Sequence, residues 1–412
     1  MRRWPLLLIP VLPIAASAQS DSAARSATST VTGRVYCADT NAPARLASVM
    51  LEPVRAVNQA GIGSKGHTRD RVTMTAVQTT LDGSFLLPGV APGKYYVIAY
   101  KPGYLSPLAT FPADILDHPS AEDQARIAAA VPNITIQAGL PASIDLRLER
   151  GAAISGTVLF DDGSPAADLT VHALVRRKQG QKETWSALRP TPFGTMAEVR
   201  TDDLGRYRLI GLPASEYTVQ VDLELQKLDL GIIVGESWNS RSTTSIARLP
   251  FYSGNSTRQR DAAPFKLTAG EERTGEDITI PLSKLHTVTG ELIAAHDGHV
   301  LNYGTVSLRN ADDQSEVESA KVEESDSKFR LIFVPEGSYN LHIDGAADVT
   351  FQPASVPPNT FAIPYDQVHF LHSYGVTDQP LAVHDDIPTL TVSIPEKAAA
   401  PPPPSHSTTA SQ

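Results

Sequence analysis

A fixed spacing between an aromatic residue and a tyrosine occurs three times in this chain and strongly limits its fold. In each case ten residues separate the two rings; the pairs are Phe85 and Tyr95, Tyr207 and Tyr217, and Phe329 and Tyr339. Each pair follows an acidic turn, at Asp82, Asp203 and Asp326. Because Asp, Gly and Pro turns reverse the chain between strands, the repeat predicts one hairpin-rich unit present in three copies. The tyrosine is expected to pack at a corner while its hydroxyl bonds nearby backbone.

Each copy also opens with a short strand that carries a glycine and closes with an alternating strand. The opening glycines are Gly33, Gly156 and Gly290. After the second tyrosine, Val219, Val221, Leu223 and Leu225 alternate with Gln220, Asp222 and Glu224. A period of two predicts strands with one buried and one wet face, which is typical of antiparallel sheet.

The spacing of the copies predicts the domain organisation. The opening glycines lie 123 and 134 residues apart, and a sandwich domain needs about 100 residues. We therefore predict an all-β chain of three tandem antiparallel β-sandwich domains, at residues 29–150, 151–284 and 285–396. One short helix is expected in an insertion between Pro119 and Val131, which begins with proline and serine and is rich in alanine.

The glycine-bearing first strand, the acidic turn before an aromatic residue and the Leu-Pro-x-x-x-Tyr corner together resemble the carboxypeptidase regulatory-like domain. The second copy is most similar, from Thr201 to Pro213 and on to Tyr217. The resemblance implies prealbumin-like or Ig-like sandwiches, related in shape to starch-binding and Cna-B-type modules. In the namesake enzymes this domain accompanies a separate zinc peptidase domain, for which three copies leave no room here. Similar modules in envelope proteins act as spacers, adhesion elements or sugar-binding modules.

The two ends of the chain predict export. Residues 1–18 combine Arg2 and Arg3, a short apolar run and Ala16-Ser17-Ala18, which is the pattern of a cleaved signal peptide. Residues 19–28 are expected to be a linker, and residues 397–412, which contain four consecutive prolines, a disordered tail. We expect a protein without a membrane span in the periplasm, at the cell surface or outside the cell.

Charge and cysteine content exclude several classes of function. The formal charge is −10 and no run of Lys or Arg exceeds three residues, so nucleic acid is not expected as a partner. A single cysteine, Cys37, excludes a disulfide framework and any Cys-based zinc cluster, and it is expected to be a small buried hydrophobe. No cofactor is expected.

Two His-x-x-His motifs, His296 with His299 and His369 with His372, have the spacing of a pair of metal ligands on a helix. The first motif contains Asp-Gly, which is a turn signal, and both motifs lie in strand or loop context. Residues i and i+3 are expected to point to opposite faces there, so we predict structural or solvated histidines and no metal site. Whether the acidic turns bind calcium stays open. With no nucleophile or acid–base motif in view, we expect a protein that is not an enzyme. A hydrolase with a cryptic site would need His369, His372 and a carboxylate to converge.

The candidate ligand-binding residues are three aromatics in polar insertions of the second copy. These insertions are 176–197 and 230–258, and the residues are Trp185, Trp238 and Tyr252. Exposed rings stack on the apolar faces of sugars, so the leading hypothesis is a binding or adhesion protein for polysaccharide. The alternative to ligand contact is that these rings pack onto their own domain. The alternative function is a structural spacer or assembly element that docks a protein partner in the cell envelope.

Overall fold

The computed structural model describes residues 28–54, 76–109, 111, 115–116, 118–179, 182–188, 197–232, 239–322, 325–352 and 367–397. The described parts fall into two compact units, one within Met1–Lys101 and Ser106–Glu149 and the other within Pro102–Leu105 and Arg150–Gln412. Strands dominate both units. The predicted signal peptide lies outside the described residues, as does all but the first residue of the predicted tail.

The first sheet pair belongs to the first unit. Its elements are β1 (Ser29–Cys37), β2 (Ser48–Pro53), β3 (Ala76–Gln78), β4 (Ser84–Val90), β5 (Gly93–Tyr100), helix α1 (Ala121–Ala130), β6 (Asn133–Ile136), β7 (Ala142–Ser143) and β8 (Leu146–Leu148). One sheet has the order β4-β1-β7, with β8 also paired to β1, and the other has the order β3-β2-β5-β6. Helix α1 begins at a capping box formed by Ser120 and Asp123 and buries Ile127. The expected short helix is confirmed.

The second sheet pair follows in the second unit. Its strands are β9 (Ala152–Phe160), β10 (Thr170–Gln179), β11 (Lys182–Ala187), β12 (Glu198–Arg200), β13 (Arg206–Leu212), β14 (Ser215–Ile232), β15 (Asn239–Tyr252), β16 (Phe265–Leu267), β17 (Glu272–Arg273) and β18 (Ile278–Ile280). One sheet has the order β13-β9-β17, with β18 on β9; the other has the order β11-β10-β14-β15, with β12 on β10 and β16 on β14. Short 3₁₀ helices occupy Gln259–Asp261 and Leu282–Lys284.

The third sheet pair completes the second unit. Its strands are β19 (Leu285–Ala294), β20 (Val300–Leu301), β21 (Tyr303–Asn310), β22 (Glu316–Lys321), β23 (Lys328–Pro335), β24 (Gly337–Gln352), β25 (Gln367–Ser373), β26 (Thr377–Val383) and β27 (Ile387–Ile394). One sheet has the order β20-β19-β23, with β27 on β19, and the other has the order β22-β21-β24-β25, with β26 on β24. The second and third pairs each enclose their own cluster of buried apolar side chains.

The same pairing pattern occurs in all three sheet pairs. The opening strand (β1, β9 or β19) pairs antiparallel with the strand after the acidic turn (β4, β13 or β23). On its other side it pairs in parallel with the closing strand (β8, β18 or β27). The all-β sandwich fold is therefore confirmed, although the alternation of the closing strands did not indicate parallel pairing. The division at residues 29–150, 151–284 and 285–396 stays a prediction.

The opening glycine has the same steric reason in each copy. A Cβ atom on Gly33, Gly156 or Gly290 would lie 1.8, 2.2 or 2.5 Å from a backbone carbonyl oxygen that lies within the closing strand or two residues before it. The aromatic side chain of the repeat also lies within 3.0 Å of that position in each case. Because real side chains do not approach so closely, only glycine lets the closing strand and the ring pack against the opening strand.

The tyrosine of each repeat forms the predicted corner. The hydroxyl groups donate to the carbonyl oxygen four residues earlier: Tyr95 to Ala91 at 3.0 Å, Tyr217 to Pro213 at 2.7 Å and Tyr339 to Pro335 at 2.8 Å. The structural role expected for these tyrosines is confirmed.

The acidic turns differ in one detail from the expectation. Asp82 and Asp326 each accept the amide two residues later, but in the second copy Asp202 rather than Asp203 does so, accepting the amide of Leu204 at 3.0 Å. The third copy keeps the turn without its glycine, because Ser327 adopts the left-handed φ of +56° that Gly83 and Gly205 adopt elsewhere.

The strand that follows Tyr217 departs from strict alternation at two positions. Val219, Val221 and Leu223 are buried as expected, but Leu225 is 40% exposed because β14 continues beyond the core into a long hairpin with β15. Asp222, expected on the wet face, is only 4% exposed. Cys37 is buried and free, as predicted.

Candidate functional site

The three aromatic residues predicted to bind ligand do not form one surface. Trp185 lies on β11, within a strand rather than the polar loop that was expected. Tyr252 ends β15 and is only 7% exposed. Trp238 lies outside the described residues. Strand pairing places Trp185 opposite Arg176 of β10, whereas Tyr252 lies in the same row across the sheet as His172 of β10. These two rows are four residues, or about 13 Å, apart along β10.

The Trp185 ring is partly covered by an arginine. The Arg176 guanidinium lies 5.0 Å from the ring centroid, which is the distance of a cation–π contact. Arg176 is held in place by Glu216 at 3.2 Å and Glu183 at 3.6 Å. The ring therefore packs partly onto its own sheet.

Asp222 forms a buried polar cluster on the outer face of the same sheet. Its Oδ2 atom accepts from His172 Nε2 at 2.9 Å and from Arg248 Nη2 at 2.6 Å, and its Oδ1 atom accepts from Gln220 at 2.8 Å. Burial alone would raise the pKa of Asp222, but the hydrogen bonds from His172 and Arg248 outweigh burial and hold the pKa below its ordinary value. This ionised carboxylate ties β10, β14 and β15 together.

The second and third sheet pairs meet at a polar contact, which we call the arginine–aspartate contact. It joins Arg258 and Arg260, at the 3₁₀ helix after β15, to Asn310 at the end of β21 and to Asp312 and Asp313 in the turn that follows. Arg258 Nη1 bonds both carboxylate oxygens of Asp312, at 3.0 and 2.8 Å. Hydrogen bonds from Arg258 and Arg260 hold the pKa of Asp312 well below its usual range.

Beside this contact, three apolar side chains of the third sheet pair pack against the core of the second. They are Leu285 at the start of β19, Val317 on β22 and Phe333 on β23. Phe333 has φ +64°, at the bulge position where the first two copies have Gly89 and Gly211, both with φ +72°. A left-handed conformation is costly for a bulky residue and persists only where surrounding contacts compensate.

A cleft of about 420 Å³ lies between the same two sheet pairs. Tyr252 and Tyr339 contribute to its wall, and the polar side chains that line it include Gln259, Asn310, Asp313, Ser315, Glu316 and Glu336. Tyr252, one of the three predicted ligand-binding residues, therefore lies at this cleft.

The third sheet pair carries a histidine cluster that the sequence analysis did not predict. It consists of His296, Asp297, His299, Asp348, His372, Tyr374 and Glu396. The inference that His296 and His299 point to opposite faces is wrong, because a turn at Asp297-Gly298 separates them rather than a strand. Their rings lie 5.7 Å apart. The Asp-Gly pair indicated this turn in the sequence, but the approach of the two rings was not predicted.

The second His-x-x-His motif contributes one histidine to this cluster. His372 Nε2 lies 2.8 Å from Glu396 Oε2, whereas His369 is exposed and paired with Thr350 on β24. The convergence of His369, His372 and a carboxylate that a hydrolase would require is therefore not present.

Contacts within the cluster shift the pKa values of three of its groups. Hydrogen bonds with Asp297 and then Asp348 raise the pKa of His299, and the same contact with His299 lowers the pKa of Asp297. Burial and the hydrogen bond to Asp348 raise the pKa of Tyr374 to about 12, so its hydroxyl stays a donor.

Comparisons with known proteins show limited similarity. No protein-family model matches the sequence, and no curated protein matches it. The solved structures similar to this chain include the Bacillus anthracis TIE protein (14% identity, covering 89% of this chain and 51% of that one, TM-score 0.19) and a streptococcal ancillary pilin (9%, 90% and 99%, 0.27). GBS52, the minor pilin of Streptococcus agalactiae, is a third (10%, 61% and 99%, 0.26).

The chain spans about half the length of the Bacillus anthracis protein. At such identities and TM-scores, the matches carry no argument about activity, ligand or partner. The carboxypeptidase regulatory-like resemblance stays an expectation, while the β-sandwich shape that it implied is present. Among the described residues, none of the helices is long and apolar enough to cross a bilayer.

Proposed function

We propose that this chain is an exported, non-catalytic protein of structural or adhesion type, whose second and third sheet pairs act as one rigid element. The observation that carries the proposal is Phe333, which keeps a left-handed backbone while its ring packs against the neighbouring core. A glycine at this bulge would avoid the strain, as in the other two copies, but would provide no ring for the contact. A spacer or presenting module needs such fixed geometry between its domains.

The arginine–aspartate contact supports the same proposal. A bidentate Arg–carboxylate pair fixes orientation as well as distance, unlike a single flexible ion pair. Arg258 and Arg260 share Asp312, so the contact is a network rather than an isolated surface bridge. Localisation in the envelope or outside the cell rests on the signal-peptide pattern of residues 1–18.

The test is whether the two sheet pairs unfold together. In calorimetry of the mature chain, we expect them to give one cooperative transition, which the double variant Arg258→Ala/Arg260→Ala separates into two. Phe333→Gly should have the same effect by removing the ring. The matched control is Arg200→Ala, which removes an exposed ion pair with Asp168 inside the second sheet pair. Separate transitions in the wild type would overturn the proposal.

Carbohydrate binding is a second candidate function, favoured by the cleft. Its volume of about 420 Å³ falls within the range of small-molecule sites, which is about 300–1,000 Å³. Amide and carboxylate side chains such as Gln259 and Glu316 can bond sugar hydroxyls, and Tyr252 provides an aromatic wall. We propose this cleft, with Tyr252, as the site for a saccharide unit of an envelope polysaccharide. Trp185 and Trp238 remain predicted contacts.

A polysaccharide array followed by titration calorimetry tests the ligand. Gln259→Ala and Glu316→Ala should each weaken binding at least tenfold while the thermal unfolding of the chain stays unchanged. The comparison variant is Trp185→Ala. Loss of binding in that variant alone would move the site to β11, and an array without any binding would remove carbohydrate from the proposal. A protein partner found in envelope extracts would then favour the structural alternative.

A further inference from the structure

We propose that His296, Asp297 and His299 form a binding site for a divalent transition metal ion of the zinc type. The three residues lie in and beside the turn between β19 and β20. Each offers one ligand atom, and these atoms all lie within 4.8 Å of one another. Imidazole nitrogen and carboxylate oxygen are ligands that zinc accepts readily. The proposal is independent of the function proposed above.

The distances fit an ion with short bonds. Asp297 lies between the two rings, with Oδ2 3.2 Å from His296 Nε2 and Oδ1 2.6 Å from His299 Nδ1. Zinc bonds of about 2.0–2.2 Å in a tetrahedron place neighbouring ligand atoms about 3.3 Å apart. Small rotations of the two imidazoles therefore make room for the ion at the carboxylate.

The outer nitrogen of each histidine gives a second, independent reason. His296 Nδ1 lies 3.2 Å from Glu396 Oε1, and His299 Nε2 lies 3.1 Å from Asp348 Oδ2. A carboxylate behind a metal-binding histidine accepts a hydrogen bond from the outer N–H, which keeps the proton on that nitrogen and the lone pair of the inner nitrogen free for the metal. Both histidines have this arrangement here.

These two carboxylates are themselves held in place. Tyr374 donates its hydroxyl to Asp348 Oδ2 at 2.9 Å, and His372 Nε2 lies 2.8 Å from Glu396 Oε2. A carboxylate fixed from a second side orients its histidine more firmly than a mobile surface residue can. The support of the site thus comes from β24, β25 and the segment after β27.

Charge and access also fit a cation. With neutral imidazoles, the cluster carries three carboxylates, those of Asp297, Asp348 and Glu396. The side chains of His296, Asp297 and His299 are 47, 49 and 38% exposed, so an ion reaches them from solvent. Three protein ligands leave one tetrahedral position for water or for a donor from another molecule.

Titration calorimetry with zinc chloride, on the full mature chain without a histidine tag, tests the site at neutral pH. We expect one zinc per chain. His299→Ala should weaken binding at least tenfold, and Glu396→Gln should weaken it about tenfold or more through the outer carboxylate. The matched control is His342→Ala, because His342 pairs with Asp378 at 2.7 Å in the same sheet pair but has no third ligand among the residues that the structure describes.

A second readout guards against variants that fail to fold. Zinc that binds only the folded chain raises its unfolding temperature, and Asp297→Asn should abolish this rise while circular dichroism stays that of a β protein. The proposal is overturned if zinc binds His299→Ala and the wild type equally. It is also overturned if His342→Ala loses as much affinity as His299→Ala, or if the folded wild type binds no zinc.

Discussion

Glu318 carries a carboxyl group that folding removes from water. It lies on β22, is 8% exposed, and its Oε1 atom accepts the Ile332 amide at 3.0 Å. Its Oε2 atom has no hydrogen-bond partner among the described residues. Ile332 belongs to the β-bulge in which Phe333 adopts its left-handed conformation, and residues in a bulge do not pair regularly with the neighbouring strand. The Glu318 carboxyl group therefore accepts the Ile332 amide in place of a strand partner. Replacing Glu318 by glutamine keeps this acceptor and removes the ionisation.

The size of the expected change in stability follows from the raised pKa of Glu318. Burial raises the pKa of Glu318 from 4.5 to about 8, despite the opposing hydrogen bond from Ile332. Between these values the unfolded chain has released the proton that the folded chain keeps, so stability is fully present below pH 4.5 and falls as pH rises towards 8. At about 1.4 kcal/mol per pH unit the upper limit is about 5 kcal/mol. Partial hydration lowers this, and we expect about 2–3 kcal/mol.

Calorimetry near pH 5 and near pH 8 measures the effect. Glu318→Gln should unfold at least about 5 °C above the wild type near pH 8 and close to it near pH 5. The control is Glu316→Gln, two residues earlier on the same strand and exposed. Other groups titrate in this range, so the difference between variant and wild type is the quantity to compare. Parallel pH profiles of wild type and Glu318→Gln would refute the reasoning.

Two further substitutions, one of them with a matched control, test the repeat itself. Gly156→Ala places a methyl group 2.2 Å from the Glu276 carbonyl oxygen, so we expect a loss of about 3 kcal/mol or more in urea unfolding. Gly163→Ala, at φ +82° with open space around it, should lose only about 1 kcal/mol, and equal losses would contradict the steric explanation. Ser327→Gly relieves a left-handed serine and should raise stability by up to about 1 kcal/mol; a loss of stability would show that φ +56° is not strained.

Features that depend on neighbouring residues in the sequence could be predicted well. The ten-residue spacing identified the repeat, and the hydroxyl of Tyr217 bonds a carbonyl only four residues away. The capping of helix α1 by Ser120 is equally local. Such contacts form within one turn or one corner, so the order of residues determines them.

Features that depend on distant strands could not be predicted. Asp222 alternates as a wet residue should, yet Arg248 and His172 from neighbouring strands bury and pair it. The histidine cluster gathers residues from a turn, from β24 and β25, and from Glu396 after β27, which no local pattern relates. In the sequence, Phe333 is one more apolar residue of a strand. Its packing against the core of the second sheet pair depends on the tertiary structure.

Parallel pairing of the opening and closing strands has a mechanical consequence. In the third sheet pair, β19 begins where the chain enters and β27 ends where it leaves, and the two lie side by side from Val288 to Ala294. A pull on the two ends would slide these strands past each other, so their hydrogen bonds would have to break together instead of one at a time. In the second pair the closing strand is interrupted between β17 and β18, where Asp277 accepts the Thr157 amide. The third sheet pair should therefore withstand more tension than the second.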